Sequence, residues 1–138
     1  MLRTMALIFG LVFLAVGVAG FIPALVHQPM MPPADLTMDH GAGTLLGLFP
    51  VNTLHNIVHL LFGLIGLVAS RSVGGSRGYF QFIFVAYALL AILGLIPATQ
   101  TLFGLVPLHG NDVWLHAGLA IVGLYLGFIH KERAIDVR

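Results

Sequence analysis

Apolar residues run through this chain in four long blocks with almost no charge inside them, at about residues 5–26, 52–69, 79–97 and 111–130. Each block approaches the roughly twenty residues that a helix rising 1.5 Å per residue needs to cross a bilayer core. An unpaired backbone amide in hydrocarbon costs several kcal/mol, so each block is predicted to be a helix, which satisfies its own amides. Polar positions in the second block are ordered. Asn52, His55, Asn56 and His59 fall at i, i+3, i+4 and i+7 on one helical face, and the same stripe continues through Gly63, Gly66 and Ser70. Polar groups above and glycines below mark the side turned toward other helices, because lipid penalises the former. Asn52 stands where an N-cap is expected.

The pattern occurs twice. Thr44–Pro50 returns as Thr101–Pro107, and His59 and His116 each follow their proline by nine residues. Beyond them Gly66 falls on Gly123, an offset of 57, while Gly20-Phe21-Ile22-Pro23-Ala24 is echoed by Gly94-Leu95-Ile96-Pro97-Ala98, an offset of 74. The chain is therefore expected to be all-α: an integral membrane four-helix bundle, one domain over 1–138, built from two parallel helix-shelf-helix repeats at about 5–69 and 79–130. A parallel pair of repeats places its pseudo-two-fold axis along the membrane normal. The offsets differ because an outer loop, 27–43, with Pro29, Pro32 and Pro33, lengthens the first repeat. Each short apolar shelf is expected to be a half-helix or turn at the outer interface, acting as a lid or as a tight connection. Gly10, Gly17 and Gly20 in the first span, and Gly123 and Gly127 in the fourth, offer close helix contacts. Pro23 is expected to bend or end the first span. Arg71–Gly78 reads as a cytoplasmic turn and 131–138 as a charged cytoplasmic tail. Tyr79 and Trp114 suit the inner and outer aromatic belts.

Composition sharpens the class. Hydrophobic residues make up 59% and charged ones 8%, against about a quarter charged in ordinary globular chains, and mean hydropathy is +1.02. A membrane protein is expected, with the lipid bilayer as its first partner. All six basic residues fall at the N-terminus (Arg3), between the second and third spans (Arg71, Arg77) or in the tail (Lys131, Arg133, Arg138). The positive-inside rule then predicts both termini in the cytoplasm. The N-terminal run resembles a secretory signal, but its kinship to the third span argues for a retained helix. Cysteine is absent, which excludes disulfides and thiolate chemistry. No basic patch supports nucleic-acid binding.

Candidate chemistry gathers on the second and fourth spans. His55 and His59, and Asp112 and His116, are one turn apart on helices that the repeat makes equivalent. Three imidazoles and a carboxylate suit a transition metal such as Zn²⁺, Cu²⁺ or Fe²⁺, with Asn52 and Asn56 as partners fixing the histidine tautomers. His59 and His116, across a two-fold axis, are also a candidate axial pair for haem b, although glycine-rich helices pack closely for a porphyrin. The same polar groups can instead serve only as helix caps and interhelical hydrogen bonds. A second cluster, His27, Met30, Met31, Met38 and His40 in the outer loop, offers imidazole and thioether ligands to copper.

The run Gly47-Leu48-Phe49-Pro50-Val51-Asn52-Thr53-Leu54-His55-Asn56-Ile57-Val58-His59-Leu60, with Leu102–Pro107 and Gly110-Asn111-Asp112-Val113-Trp114-Leu115-His116, resembles the bacterial membrane family catalogued as domain of unknown function 4383. That resemblance implies four membrane helices and brings no activity, cofactor or site. The leading expectation is a small non-enzymatic membrane protein, an accessory or assembly subunit of a larger membrane complex or a homo-oligomer, whose polar cluster is structural or holds a metal. The alternatives are a haem- or copper/zinc-binding redox or metal-handling protein, and a proton-conducting or pH-sensing module, since histidine titrates near neutrality.

Overall fold

The computed structural model describes residues 1–28 and 35–131. Four helices follow one another: α1 (Leu2–Ala19), α2 (Thr53–Ala69), α3 (Val73–Leu95) and α4 (Asn111–Leu124), the last running on into a wider π turn at Tyr125–Ile129. Three helices, Leu2–Ala19, Val73–Leu95 and Asn111–Ile129, are long and apolar enough to cross a membrane. The remaining one, α2, is apolar with 17 residues.

The boundaries depart from expectation in three places. α1 stops at Ala19, and the chain then forms a 3-10 turn at Pro23–Leu25 and a strand, β1 (Val26–His27). Proline at the first position suits a new turn and cannot continue the old helix. α3 starts at Val73, so the basic Gly/Ser turn shrinks: the Ser72 hydroxyl accepts from Gly75 N at 3.0 Å and caps a helix that contains Gly74, Gly75 and Gly78. The first shelf is neither half-helix nor simple turn. It is a hairpin, β2 (Gly43–Leu45) and β3 (Phe49–Val51), with β1 on its other side in a three-stranded antiparallel sheet. Periodicity missed it because seven residues are too few to show alternation, and Pro50 argued against a strand. Pro50 is tolerated because β3 is an edge strand, where a ladder donor is dispensable. The second shelf is a turn with Leu102, Phe103 and Gly104 all at positive φ, while Leu46 and Gly47 are so in the first.

α1 packs chiefly on α2, and α3 on α4. The contacts are backbone to backbone. A Cβ added at Gly10 would lie 2.9 Å from Leu67 N and 3.0 Å from Gly63 O, and one at Gly123 would lie 2.7 Å from Phe84 N. Between the two pairs lies an aromatic core in which Phe13 of α1 stacks on Tyr87 of α3 at 5.7 Å, above Phe80 and Ile83. Tyr79 belongs to this core, 3% exposed, rather than to an aromatic belt; its hydroxyl donates to Phe62 O at 3.3 Å. Trp114 is 72% exposed, as a belt residue should be. Large apolar side chains such as Leu61, Leu64, Val85, Leu89 and Ile121 cover the outside, the surface that a lipid bilayer environment favours.

Polar side chains tie the ends. At one end Arg3 Nε donates to Ser70 O at 3.0 Å beyond α2, and Arg77 donates to Gly127 O and His130 O beyond α4. Cations there also suit the helix dipoles. At the other end Asn52 caps α2, its Oδ1 accepting from His55 N at 2.8 Å, while its Nδ2 donates to Met38 O and Leu105 O at 2.8 and 2.7 Å. Asn56 Nδ2 donates to Gly20 O at 2.8 Å.

Two substitutions follow from this packing. Gly10→Ala and Gly123→Ala should each cost about 1–3 kcal/mol by overpacking, read as a lower thermal midpoint in detergent, whereas Gly118→Ala, with open space around it, should leave the midpoint unchanged. Asn52→Ala removes a cap and two cross-links at a buried site and should cost about 2 kcal/mol or more in the same assay; an unchanged midpoint would show that these bonds do not contribute.

Candidate functional site

α2 and α4 present their polar faces to each other at the end of the bundle opposite the arginines. His55 and His59 lie within the first two turns of α2, and Asp112 and His116 within those of α4. All four side chains are buried, with exposures of 5%, 7%, 2% and 1%. The expectation that this stripe faces other helices therefore holds, and His55 is not in water.

Three of the four converge. His55, Asp112 and His116 each offer one ligand atom, and these atoms all lie within 4.8 Å of one another. His116 Nε2 stands 3.5 Å from Asp112 Oδ2. Two ligands bound at about 2.0–2.1 Å in a tetrahedral site are themselves roughly 3.3 Å apart, so this edge already has the span of a coordination polyhedron. The groups do not satisfy one another: His55 Nδ1, Asp112 Oδ2 and His116 Nδ1 have no hydrogen-bond partner among the described residues. A buried polar atom left so costs about 1–3 kcal/mol.

His59, expected as a fourth ligand, stands outside the trio. Its ring meets His55 edge-on at 4.5 Å and Phe13 at 5.6 Å. A spacing of i, i+4 places two rings on one face, but whether both reach a common point depends on side-chain rotamers and on what packs against them. Asn52 and Asn56 are not tautomer-fixing partners either: their amides go to Met38, Leu105 and Gly20, so they hold loops onto α2. Asp112 does not cap α4, whose N-cap is Gly110.

Two cavities touch the histidines. One, of about 70 Å³, lies between α2 and α3 under the second shelf, and the other, of about 180 Å³, lies between α1 and α4; His59 and His116 border both. Pockets for molecules the size of a porphyrin start near about 300 Å³, so the geometry gives haem b no room between His59 and His116. Of the outer-loop copper candidates, Met30 and Met31 lie outside the described residues, and His27, Met38 and His40 are exposed. Among the described residues the buried trio is the one group of three or more His, Asp or Glu side chains gathered in this way.

The second shelf, expected as a lid or a tight connection, borders the cluster. Its Gly104 carbonyl receives Thr37 N, Met38 N and the Thr37 hydroxyl, and Val106 and Leu108, both buried, line the space beside His55 and His116.

No functionally curated protein and no solved structure matches the chain. The family model described as Domain of unknown function (DUF4383) matches residues 3–129, nearly the whole length. This protein, with its apolar helices and its buried His/Asp cluster, accordingly belongs to the DUF4383 family.

Proposed function

We propose that this chain is a non-enzymatic bacterial inner-membrane protein that holds a divalent transition-metal ion through His55, Asp112 and His116, with both termini in the cytoplasm. The observation that carries the reading is the convergence of three buried side chains, each offering a ligand atom within 4.8 Å of the others, in a cluster that leaves polar atoms on all three without a hydrogen-bond partner among the described residues. A purely structural cluster would be expected to satisfy its own members. Two neutral imidazoles and one carboxylate suit Zn²⁺ and leave a fourth position open. The ion would tie α2 to α4, which otherwise belong to separate helix pairs. Proton conduction is less well supported: inward of the histidines the core is mostly apolar, Phe13, Phe80, Ile83 and Ala120, with the hydroxyls of Tyr87 and Tyr79 as the polar groups of that cluster.

The proposal includes a duplication with parallel halves. Supporting it, buried positions recur at the two offsets: His55, Asn56, His59, Gly63 and Gly66 on α2 correspond to Asp112, Val113, His116, Ala120 and Gly123 on α4, all buried. Arg3 and Arg77 are likewise equivalent, and donate to the equivalent carbonyls of Ser70 and Gly127. Both 3-10 turns, Pro23–Leu25 and Pro97–Thr99, follow the odd-numbered helices at matching places. The orientation rests on the basic residues lying together at one end.

Purified apo-protein dialysed against Zn²⁺ or Co²⁺ should take up about one ion per chain, with Co²⁺ showing the absorption of a four-coordinate site. Asp112→Ala and His116→Ala should each weaken binding at least about tenfold, and His40→Ala should not; uptake unchanged in both site variants would reject the metal. Because the natural chain has no cysteine, single cysteines report topology. Leu48→Cys, at an exposed hairpin tip, should react with an impermeant maleimide on intact cells, and Gly74→Cys only after lysis; the reverse pattern would invert the orientation.

A further inference from the structure

The arginine end of the bundle differs between the halves of the proposed duplication. With the offset of 74 for α1 and α3 and of 57 for α2 and α4, Arg3 corresponds to Arg77, Leu7 to Gln81, Ser70 to Gly127 and Arg71 to Phe128. In the second half this corner closes on itself. Arg77 donates to Gly127 O at 3.3 Å and to His130 O at 3.0 Å, and Gln81 Nε2 donates to Gly127 O at 3.2 Å. In the first half Leu7 can offer no such bond, and Arg3 uses Nε alone, on Ser70 O at 3.0 Å. The two terminal nitrogens of Arg3 and the whole guanidinium of Arg71 have no partner among the described residues. Both side chains are exposed, and both line one groove of about 640 Å³, together with Thr4, Leu7, Ser70 and Val73.

Two positive charges share this groove without an acid to balance them. The acids among the described residues, Asp35, Asp39 and Asp112, lie toward the other end, beside the second shelf, at the start of the first and on the first turn of α4; Glu132 and Asp136 fall outside the described residues. The groove is also partly apolar. Leu7 and Val73 are exposed within it, and the outer face of α1 continues from Leu7 through Ile8, Leu11 and Val12, all exposed. Guanidinium groups match phosphate oxygens in geometry and charge, and basic pockets between membrane helices suit the headgroups of anionic lipids. A free phosphate would meet the arginines but leave the apolar wall bare, and a neutral acyl chain would leave the arginines unpaired. We infer that this groove binds the phosphodiester headgroup of an anionic phospholipid, whose oxygens accept from Arg3 and Arg71 while its chains lie along the apolar face of α1. The comparison between corners takes its residue equivalences from the duplication; the groove itself depends on neither the metal ion nor the orientation.

The test is lipid retention by the full chain in detergent micelles, titrated with dioleoylphosphatidylglycerol or dioleoylphosphatidylcholine and counted by native mass spectrometry. Wild type should retain about one phosphatidylglycerol per chain, bound about tenfold more tightly than phosphatidylcholine, since each basic residue near a membrane surface is worth about fivefold. Arg71→Gln removes one charge and no internal bond, and should lower that preference about fivefold. Leu7→Trp, which fills the groove at unchanged charge, should weaken phosphatidylglycerol binding. Arg77→Gln removes the same charge from the same end, where the guanidinium is spent on carbonyls, and should leave the preference intact. Zn²⁺ uptake by the Arg71 and Leu7 variants should match wild type, which shows that they fold and separates this inference from the metal reading. Equal retention of the two lipids by wild type, or equal losses in Arg71→Gln and Arg77→Gln, would reduce the arginines to a general surface charge and overturn the inference. Displacement of the lipid by an excess of glycerol phosphate, the headgroup without its chains, would assign the groove to a soluble phosphate and overturn it as well.

Discussion

Direct contact between helix backbones at glycine is the constraint on which the rest of this structure depends. In hydrocarbon the hydrophobic effect does not drive helices together, because lipid solvates leucine as well as a neighbouring helix does. Association has to come from van der Waals contact and from polar groups with nowhere else to go. Gly10 against Gly63 and Gly66, and Gly123 against Phe80 and Phe84, let α1 approach α2 and α3 approach α4 without intervening side chains. The two tight pairs then meet over bulkier residues, Phe13 on Tyr87 and Phe9 on Phe80. Close packing within pairs and aromatic packing between them leaves cavities of about 70 and 180 Å³ beside the histidines.

That arrangement also explains where polarity is tolerated. Arg3 and Arg77 sit at one end, bonded to carbonyls at the C-terminal ends of α2 and of the segment that continues α4. Asn52 and Asn56 sit near the other, each spending its amide on a loop carbonyl. Every one of these groups has a partner within the protein, as an apolar surrounding demands. The His55, Asp112 and His116 trio breaks the rule. Buried groups that lack partners in an otherwise satisfied structure point to a ligand, and this contrast gives the cluster its weight.

Divergence between the halves of the proposed duplication is the second theme. His55 and Asp112 occupy corresponding positions but differ in chemistry, which turns a pair of equivalent sites into one mixed imidazole–carboxylate site. Asn56 and Val113 both lie against a glycine, Gly20 or Gly94, yet only Asn56 forms a hydrogen bond there. The hairpin of the first shelf and the turn of the second differ in the same way: β1 pairs with the first as a strand, whereas Thr37 and Met38 only donate to the Gly104 carbonyl of the second, which folds over the cluster.

Much was legible beforehand because in lipid the solvent itself enforces the pattern. Block length and hydropathy gave the helices, and i, i+3, i+4, i+7 spacing gave the buried face of α2. The recurring glycines gave the close contacts, and Asn52 gave its cap. Each is a local property of the chain read against a uniform surrounding. What the sequence could not supply was convergence. That His59 stands aside while His55 joins Asp112 and His116, that Asn52 and Asn56 reach loops and not imidazoles, and that Tyr79 is core all depend on rotamers and neighbours contributed by other helices. The strands around Pro50 form for a similar reason, since pairing with a distant segment decides them. Periodicity along one helix specifies which face turns inward; only the meeting of several such faces decides which atoms on them come within reach.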